Sequence, residues 1–215
     1  MSYLLHIDSS SLGTGSVSRT VADTARAAWG GPVVHRDLAA SPVPHLSAAG
    51  ITARVTDRNQ HTPEQAQAIA VQDELIEEFL GAGAYLFTVP MYNYTMPSVF
   101  KAWLDQIMVV DRTLNFGAEG PAAAGRPAIL VSARGGGYGP GTPNHGKDFV
   151  VPALETILGD PHCLGLDLRT ITPELTLAPV NPALAALIPL HEASLAGAHE
   201  QARFHVRKFT ELHSV

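Results

Sequence analysis

The chain has 215 residues, 46% hydrophobic and 16% charged, with a formal net charge of -6. That length suits one well-cored domain, residues 1–215, and the composition is that of a folded globular protein. The acidic balance and the scattered Lys and Arg residues exclude the electrostatic footprint of a nucleic-acid or anionic-membrane binder, leaving small molecules or another subunit as partners.

No stretch approaches the roughly 20 apolar residues of a membrane span. Met1–Asp8 lacks the basic flank of a signal peptide, so a cytoplasmic location is expected. The single cysteine, Cys163, excludes an internal disulfide and a Cys-rich metal site, and with no motif around it reads as a bystander.

Tyr3 to Asp8 reads as a first strand, apolar enough for the centre of a sheet covered on both faces. Ser9-Ser10-Ser11-Leu12-Gly13-Thr14-Gly15-Ser16-Val17-Ser18 then supplies five serines, one threonine and two glycines before a helical run from Arg19 to Trp29. Hydroxyls and N–H groups gathered at a helix N-terminus suit an anion such as phosphate, and Ser16 or Ser18 would equally serve as a plain N-cap. Gly13 and Gly15, with Ser18 in the third glycine's place and Asp37 at the end of the next strand (Pro32 to Asp37), also sketch a dinucleotide fingerprint. The first glycine falls late for such a turn, no P-loop lysine follows, and hydroxyls dominate, so a phosphomonoester cradle fits better.

Residues 38–61 form a long connection with a helical turn. Thr62 caps and Pro63 opens a helix running to about Leu80, where Gly81 stops it. Ala66, Ile69, Ala70, Leu75, Ile76 and Phe79 are its sheet-facing positions, while Asp73, Glu74, Glu77 and Glu78 read as a solvated face.

Ala84 to Val89 is a third buried strand, and Pro97 opens a helix through Met108. Between them lies Pro90-Met91-Tyr92-Asn93-Tyr94, a loop offering aromatic faces, a thioether, an amide and backbone N–H groups, which suit a flat ring with polar edges. It also reads as a simple strand-to-helix turn. Residues 109–126 form a long connection, and Pro127 to Ser132 is a fourth strand. Ala133-Arg134-Gly135-Gly136-Gly137 follows it. Adjacent glycines there permit close backbone approach to a ligand, or make a flexible loop.

Lys147 to Leu158 reads as a helix and Gly165 to Ile171 as a fifth strand. Asn181 and Pro182 open a last helix, Ala183 to His213, broken near Pro189. His191, His199, His205 and His213 fall near it without any recognisable ligand spacing, so no metal is expected.

Alternating strands and helices imply a doubly wound, five-stranded parallel sheet with helices on both faces, in the flavodoxin-like order 2-1-3-4-5. The loops after strands one, three and four then converge on one edge. A phosphate cradle, an aromatic wall and a glycine rim together fit a flat ring with a phosphate tail, the shape of FMN.

Pro90-Met91-Tyr92-Asn93-Tyr94, the serine loop, Arg134-Gly135-Gly136 and Arg36-Asp37-Leu38-Ala39 resemble the FMN-dependent NADH-azoreductases, a branch of the flavodoxin-like quinone reductases. The resemblance implies a homodimer with FMN near the interface, NADH or NADPH as electron donor, and ping-pong reduction of quinones or azo compounds. It implies that Ser10, Ser16, Val17 and Ser18 hold the phosphate and that Pro90, Met91, Tyr92, Asn93 and Tyr94 line the isoalloxazine, with the Asn93 N–H near flavin N5. Arg134, Gly135 and Gly136 would border the pyrimidine edge, and no side chain would be catalytic in its own right.

Ala133 stands where the family has a serine, and Val17 where glutamine is commoner. Residues 159–165 depart from the aromatic-containing apolar segment that the family places over the substrate, and loops like that from Asn115 to Gly120 often gate acceptors, so acceptor choice stays open. A non-enzymatic FMN electron carrier and a flavin-free NAD-dependent Rossmann dehydrogenase are the rival readings. The helix carrying Val99, Phe100, Trp103, Leu104, Ile107 and Met108 holds more large apolar residues than one sheet-facing stripe needs, which suggests a dimer face.

Overall fold

Strands β1 (Tyr3–Asp8), β2 (Val33–Asp37), β3 (Ala82–Thr88), β4 (Pro127–Val131) and β5 (Asp167–Ile171) form one sheet in the order β2-β1-β3-β4-β5. The structure is a computed structural model describing residues 3–212, so the expected helix end at His213 lies outside the described residues. Every strand pair is parallel, as the alternation of strands and helices implied. Pairing of β1 with β3 skips Gly83, a bulge that a glycine accommodates without strain.

The period of two along each strand divides the core into two layers. Leu5, Ile7, Tyr85, Phe87 and Leu130 pack on one face against α3 (Pro63–Gly81) and α4 (Ser98–Ile107). Leu4, Ala84, Leu86, Ile129 and Val131 pack on the other against α1 (Val17–Trp29) and α6 (Ile188–Leu212). The long connection after β2 contains α2 (Ala48–Ala53), capped by Ser47, and a short 3-10 turn at Arg58–Gln60.

Several boundaries differ from the sequence reading. α3 begins at its expected cap, where Thr62 and Gln65 form a reciprocal capping box. Its buried stripe is Ile69, Gln72, Leu75, Ile76 and Phe79. Ala66 and Ala70 are exposed, because Ala70 lies a quarter-turn off that stripe and Ala66 a turn before it. Gln72 is buried because Arg54 Nε donates to its Oε1 at 2.8 Å and its amide donates to the Gly50 carbonyl at 3.2 Å. The acidic face of α3 is ion-paired: Arg36 holds Glu74 and Glu78, and Arg58 holds Asp73.

The helix expected from Lys147 starts at Val151, because the Asp148 carboxylate accepts the Val150 and Val151 N–H groups and closes an Asx turn there. α5 (Val151–Leu154) then runs into a single π turn, Glu155–Gly159. The last helix opens as a 3-10 segment, Pro182–Leu187, and becomes α6 at Ile188, which puts Pro189 in a first turn where its missing N–H is tolerated.

The large apolar residues of α4 do not form an outer face. Phe100, Trp103, Leu104 and Ile107 are all essentially fully buried, with Trp103 packed edge-on or tilted against Phe79, Phe87 and Phe100. Val99 and Met108 pack against the same core. That stripe is filled by the protomer itself, because α3 as well as the sheet closes over it.

Candidate functional site

In a parallel sheet the loops following strands share the carboxyl edge and the loops preceding them share the amino edge. The pairing of adjacent strands continues beyond their ends: Ser9 N–H donates to Thr88 O, Val89 N–H to Val131 O, Met91 N–H to Ala133 O and Ser132 N–H to Ile171 O, at 2.9–3.0 Å. These bonds hold the loops after β1, β3, β4 and β5 side by side. Between them lies a cleft of about 340 Å³, within the range of small-molecule sites.

Ser10, Ser16, Val17 and Ser18 line one end of that cleft. Ser16 is the N-cap of α1, its hydroxyl accepting the Arg19 N–H at 3.2 Å and lying 2.8 Å from the Ser10 hydroxyl. Among the described residues no group accepts the N–H of Val17 or Ser18, so two donors at the positive end of the helix dipole remain available. Ser18 also works structurally, since its hydroxyl accepts the Ala133 N–H at 3.2 Å and joins the first loop to the third.

Pro90, Met91 and Tyr92 form the wall. The Tyr92 hydroxyl accepts the Ser11 N–H at 3.0 Å, tying wall to phosphate loop. Tyr92 and Thr95 exchange backbone bonds of 2.9 and 3.0 Å around Asn93 and Tyr94, whose φ values of 50° and 68° place both in the left-handed region that a tight primed turn requires. Neither Asn93 nor Tyr94 lines the cleft; both side chains are exposed beside it, and the Asn93 N–H has no protein acceptor.

Gly135 also lines the cleft, whereas Gly136 does not. The carbonyls of Arg134, Gly135 and Gly136 accept the N–H groups of Thr176, Leu177 and Leu175, while the Gly135 and Gly136 N–H groups have no acceptor among the described residues. A Cβ on Gly135 would meet Leu177 Cδ1 at 2.8 Å and one on Gly136 would meet Asn144 Nδ2 at 2.7 Å, the ends of flexible side chains that would have to shift. The Arg134 side chain turns away from the cleft to pair with Asp148 at 2.9 Å and Glu174 at 3.1 Å, beneath Tyr138. It is a pin for the loop.

Leu12, Thr176, Leu177 and Val180 also line the cleft and were not anticipated. The last three come from the segment after β5, which the same sheet-edge rule could have flagged. Arg19 is a second omission. Its guanidinium holds Asp8 (3.0 Å), Asp37 (2.8 Å) and the Ser10 carbonyl (2.8 Å), bracing the phosphate loop from behind. Asp37, the expected ribose-binding acid of a Rossmann site, is thus engaged within the protein and also caps the Ala39 and Ala40 N–H groups.

The two segments at which the sequence leaves acceptor choice open lie elsewhere. Residues 159–165 precede β5 and pack on Pro121 and Ala124, and the 115–120 loop precedes β4, so both belong to the amino edge of their own sheet, away from the cleft. Burial and Asp160 push the Cys163 thiol above its ordinary value, the opposite of what a reactive thiolate needs.

The family described as a flavodoxin-like fold matches residues 2–167, and the chain belongs to it. Within that family it falls among the FMN-dependent NADH:quinone oxidoreductases. A protein named FMN-dependent NADH:quinone oxidoreductase from Streptomyces avermitilis is 47% identical over 208 residues, 94% of each chain. One of the same name from Streptomyces coelicolor is 45% identical over 98% of this chain and 96% of that one. The fold also matches an FMN-dependent NADH-azoreductase from Bacillus anthracis solved in complex with FMN, with a TM-score of 0.79 and 19% identity over 97% of this chain and 99% of that one.

Proposed function

We propose that this protein is an FMN-dependent NADH oxidoreductase that reduces quinones and azo compounds in a ping-pong cycle. The observation that carries it is the gathering of backbone donors and serine hydroxyls on one apolar-walled cleft. Val17, Ser18 and Gly135 line it with N–H groups that have no acceptor among the described residues, beside the paired hydroxyls of Ser10 and Ser16. That arrangement fits a group with a phosphate at one end and a hydrogen-bonding ring edge at the other, and 47% identity to a relative named for FMN supports it.

When bound, FMN supplies the acceptance of a hydride from NADH and the transfer of two electrons to the second substrate. The chain's part is orientation and electrostatics. The α1 N-terminus neutralises the phosphate, and Arg19, committed to Asp8 and Asp37, keeps the loop in shape without occupying the cleft. Pro90, Met91 and Tyr92 give the ring an apolar bed, while Gly135 and Gly136 N–H offer preorganised dipoles where negative charge develops. No side chain is required to take a proton.

A homodimer and a cytoplasmic location belong to the same reading. Tyr94 and Phe149 are 50% and 60% exposed beside the cleft and joined by a 3.2 Å backbone bond, an aromatic patch that a second subunit would cover. Among the described residues no helix is long and apolar enough to cross a membrane.

A visible spectrum taken after loading with FMN and desalting tests the function. Retained flavin bands that bleach on anaerobic NADH addition and return with a quinone are expected. Flavin that is retained but not reduced by NADH would leave only an electron carrier, and no retained flavin would remove the cofactor altogether.

A further inference from the structure

The geometry points to a second site: His6, Asp8 and His35 bind a divalent transition-metal ion of the zinc class, set into the sheet directly behind the Ser10–Ser18 loop. Sheet register alone assembles it. His6 and His35 are direct partners across the parallel β1–β2 ladder, so both side chains leave the same face, and Asp8, two residues after His6, leaves that face too. One atom from each of the three lies within 4.8 Å of the others, the one such trio of His, Cys, Asp or Glu groups among the described residues. His35 Nε2 is 3.7 Å from Asp8 Oδ2, and the two imidazoles stack with centroids 4.6 Å apart, so an ion held by both requires the exposed His35 ring to rotate out of the stack.

His6 separates this cluster from an ordinary surface pair. It is 1% exposed; Nε2 lies 2.8 Å from Thr88 Oγ1, and Nδ1 is buried with no hydrogen-bond partner among the described residues. Buried ring nitrogens are rarely left unpaired, and metal-bound histidines characteristically have their second nitrogen held by a neighbouring oxygen, the position Thr88 takes. Two imidazoles and one carboxylate suit zinc rather than magnesium or calcium, which take oxygen ligands. The partly exposed side chain of His35 gives an entry path and room for a water as fourth ligand.

Arg19 opposes the ion, with Nε 3.0 Å from Asp8 Oδ2. An ion would take that oxygen and leave Arg19 to Asp37 and the Ser10 carbonyl, which it already holds. Asp8 Oδ1 meanwhile accepts the Ser10 N–H at 3.0 Å, so movement of this carboxylate is transmitted to the loop. Metal and FMN are then coupled, reciprocally and antagonistically. The coupling rests on the flavin reading; the metal site does not.

Equilibrium dialysis of the flavin-loaded full chain against zinc tests the site, with His35→Ala as the variant, since that side chain lies outside the cleft and is partly exposed. One ion per chain is expected, bound about tenfold or more weaker by His35→Ala, while a His162→Ala control keeps full binding. Equal zinc binding by wild type and His35→Ala overturns the site. The same comparison on flavin-free chain separates the two readings, since the loss in His35→Ala is expected there whatever the fate of FMN. Zinc should also weaken FMN binding in the wild type and not in His35→Ala, and an unchanged FMN affinity overturns the coupling.

Discussion

Ser18 shows one hydroxyl serving fold and ligand together. Its residue type and its place before a helix are legible in the sequence, whereas its bond to Ala133 N–H, 115 residues away, is not. Ser18→Ala leaves that buried amide without an acceptor, which costs about 1–3 kcal/mol. Denaturant unfolding of the flavin-free chain should show the loss, and an unchanged midpoint would mean that the amide has found another acceptor. Gly135 carries a similar lesson. The sequence suggests close approach of a ligand, but the atom that a Cβ would strike belongs to Leu177, in the segment after β5. Arg134 was drawn to the flavin by its motif, yet two carboxylates, Asp148 and Glu174, claim its guanidinium.

Among the elements, α4 is where periodicity was read correctly and interpreted wrongly. Its excess of apolar residues is real, but Trp103 fills a pocket among Phe79, Phe87 and Phe100. Trp103→Ala should therefore destabilise the protomer by about 3–5 kcal/mol, as deletion of a large buried aromatic does. The check is unfolding together with light scattering. A stable variant whose only defect is dissociation would restore α4 as an interface. α3 and α1 follow their caps and stripes closely, because Thr62, Pro63 and Ser16 are local signals that act within a few residues. α5 was misplaced because Asp148 competes for the N–H groups of Val150 and Val151, closing a turn where the sequence reads as continuous helix.

At the scale of the whole molecule, Asp73 of α3 ties down two distant connections, pairing with Arg58 before the helix and Arg112 after α4. Hydrogen bonding from Arg58 first, with Arg112 adding to it against some burial, holds its carboxyl below the ordinary 3.8. Folding thus favours the ionised form. This contribution to stability is complete above about pH 4 and is lost as pH falls through the folded value. Asp73→Asn should flatten the acid limb of the stability–pH curve there, and an identical slope would show that the pairs contribute nothing. What the sequence by itself determined is whatever depends on near neighbours: the strand and helix alternation, hence a parallel sheet, and hence an edge where the loops after β1, β3 and β4 meet. Recurrence of apolar residues, caps and glycines is local physics, and it survives without coordinates. Only the tertiary structure decided which groups meet across the sheet. Arg19 with Asp8 and Asp37, Leu177 over Gly135, and His6 beside His35 are set by strand register and loop packing between residues far apart in the chain, a relation that no spacing in one sequence encodes.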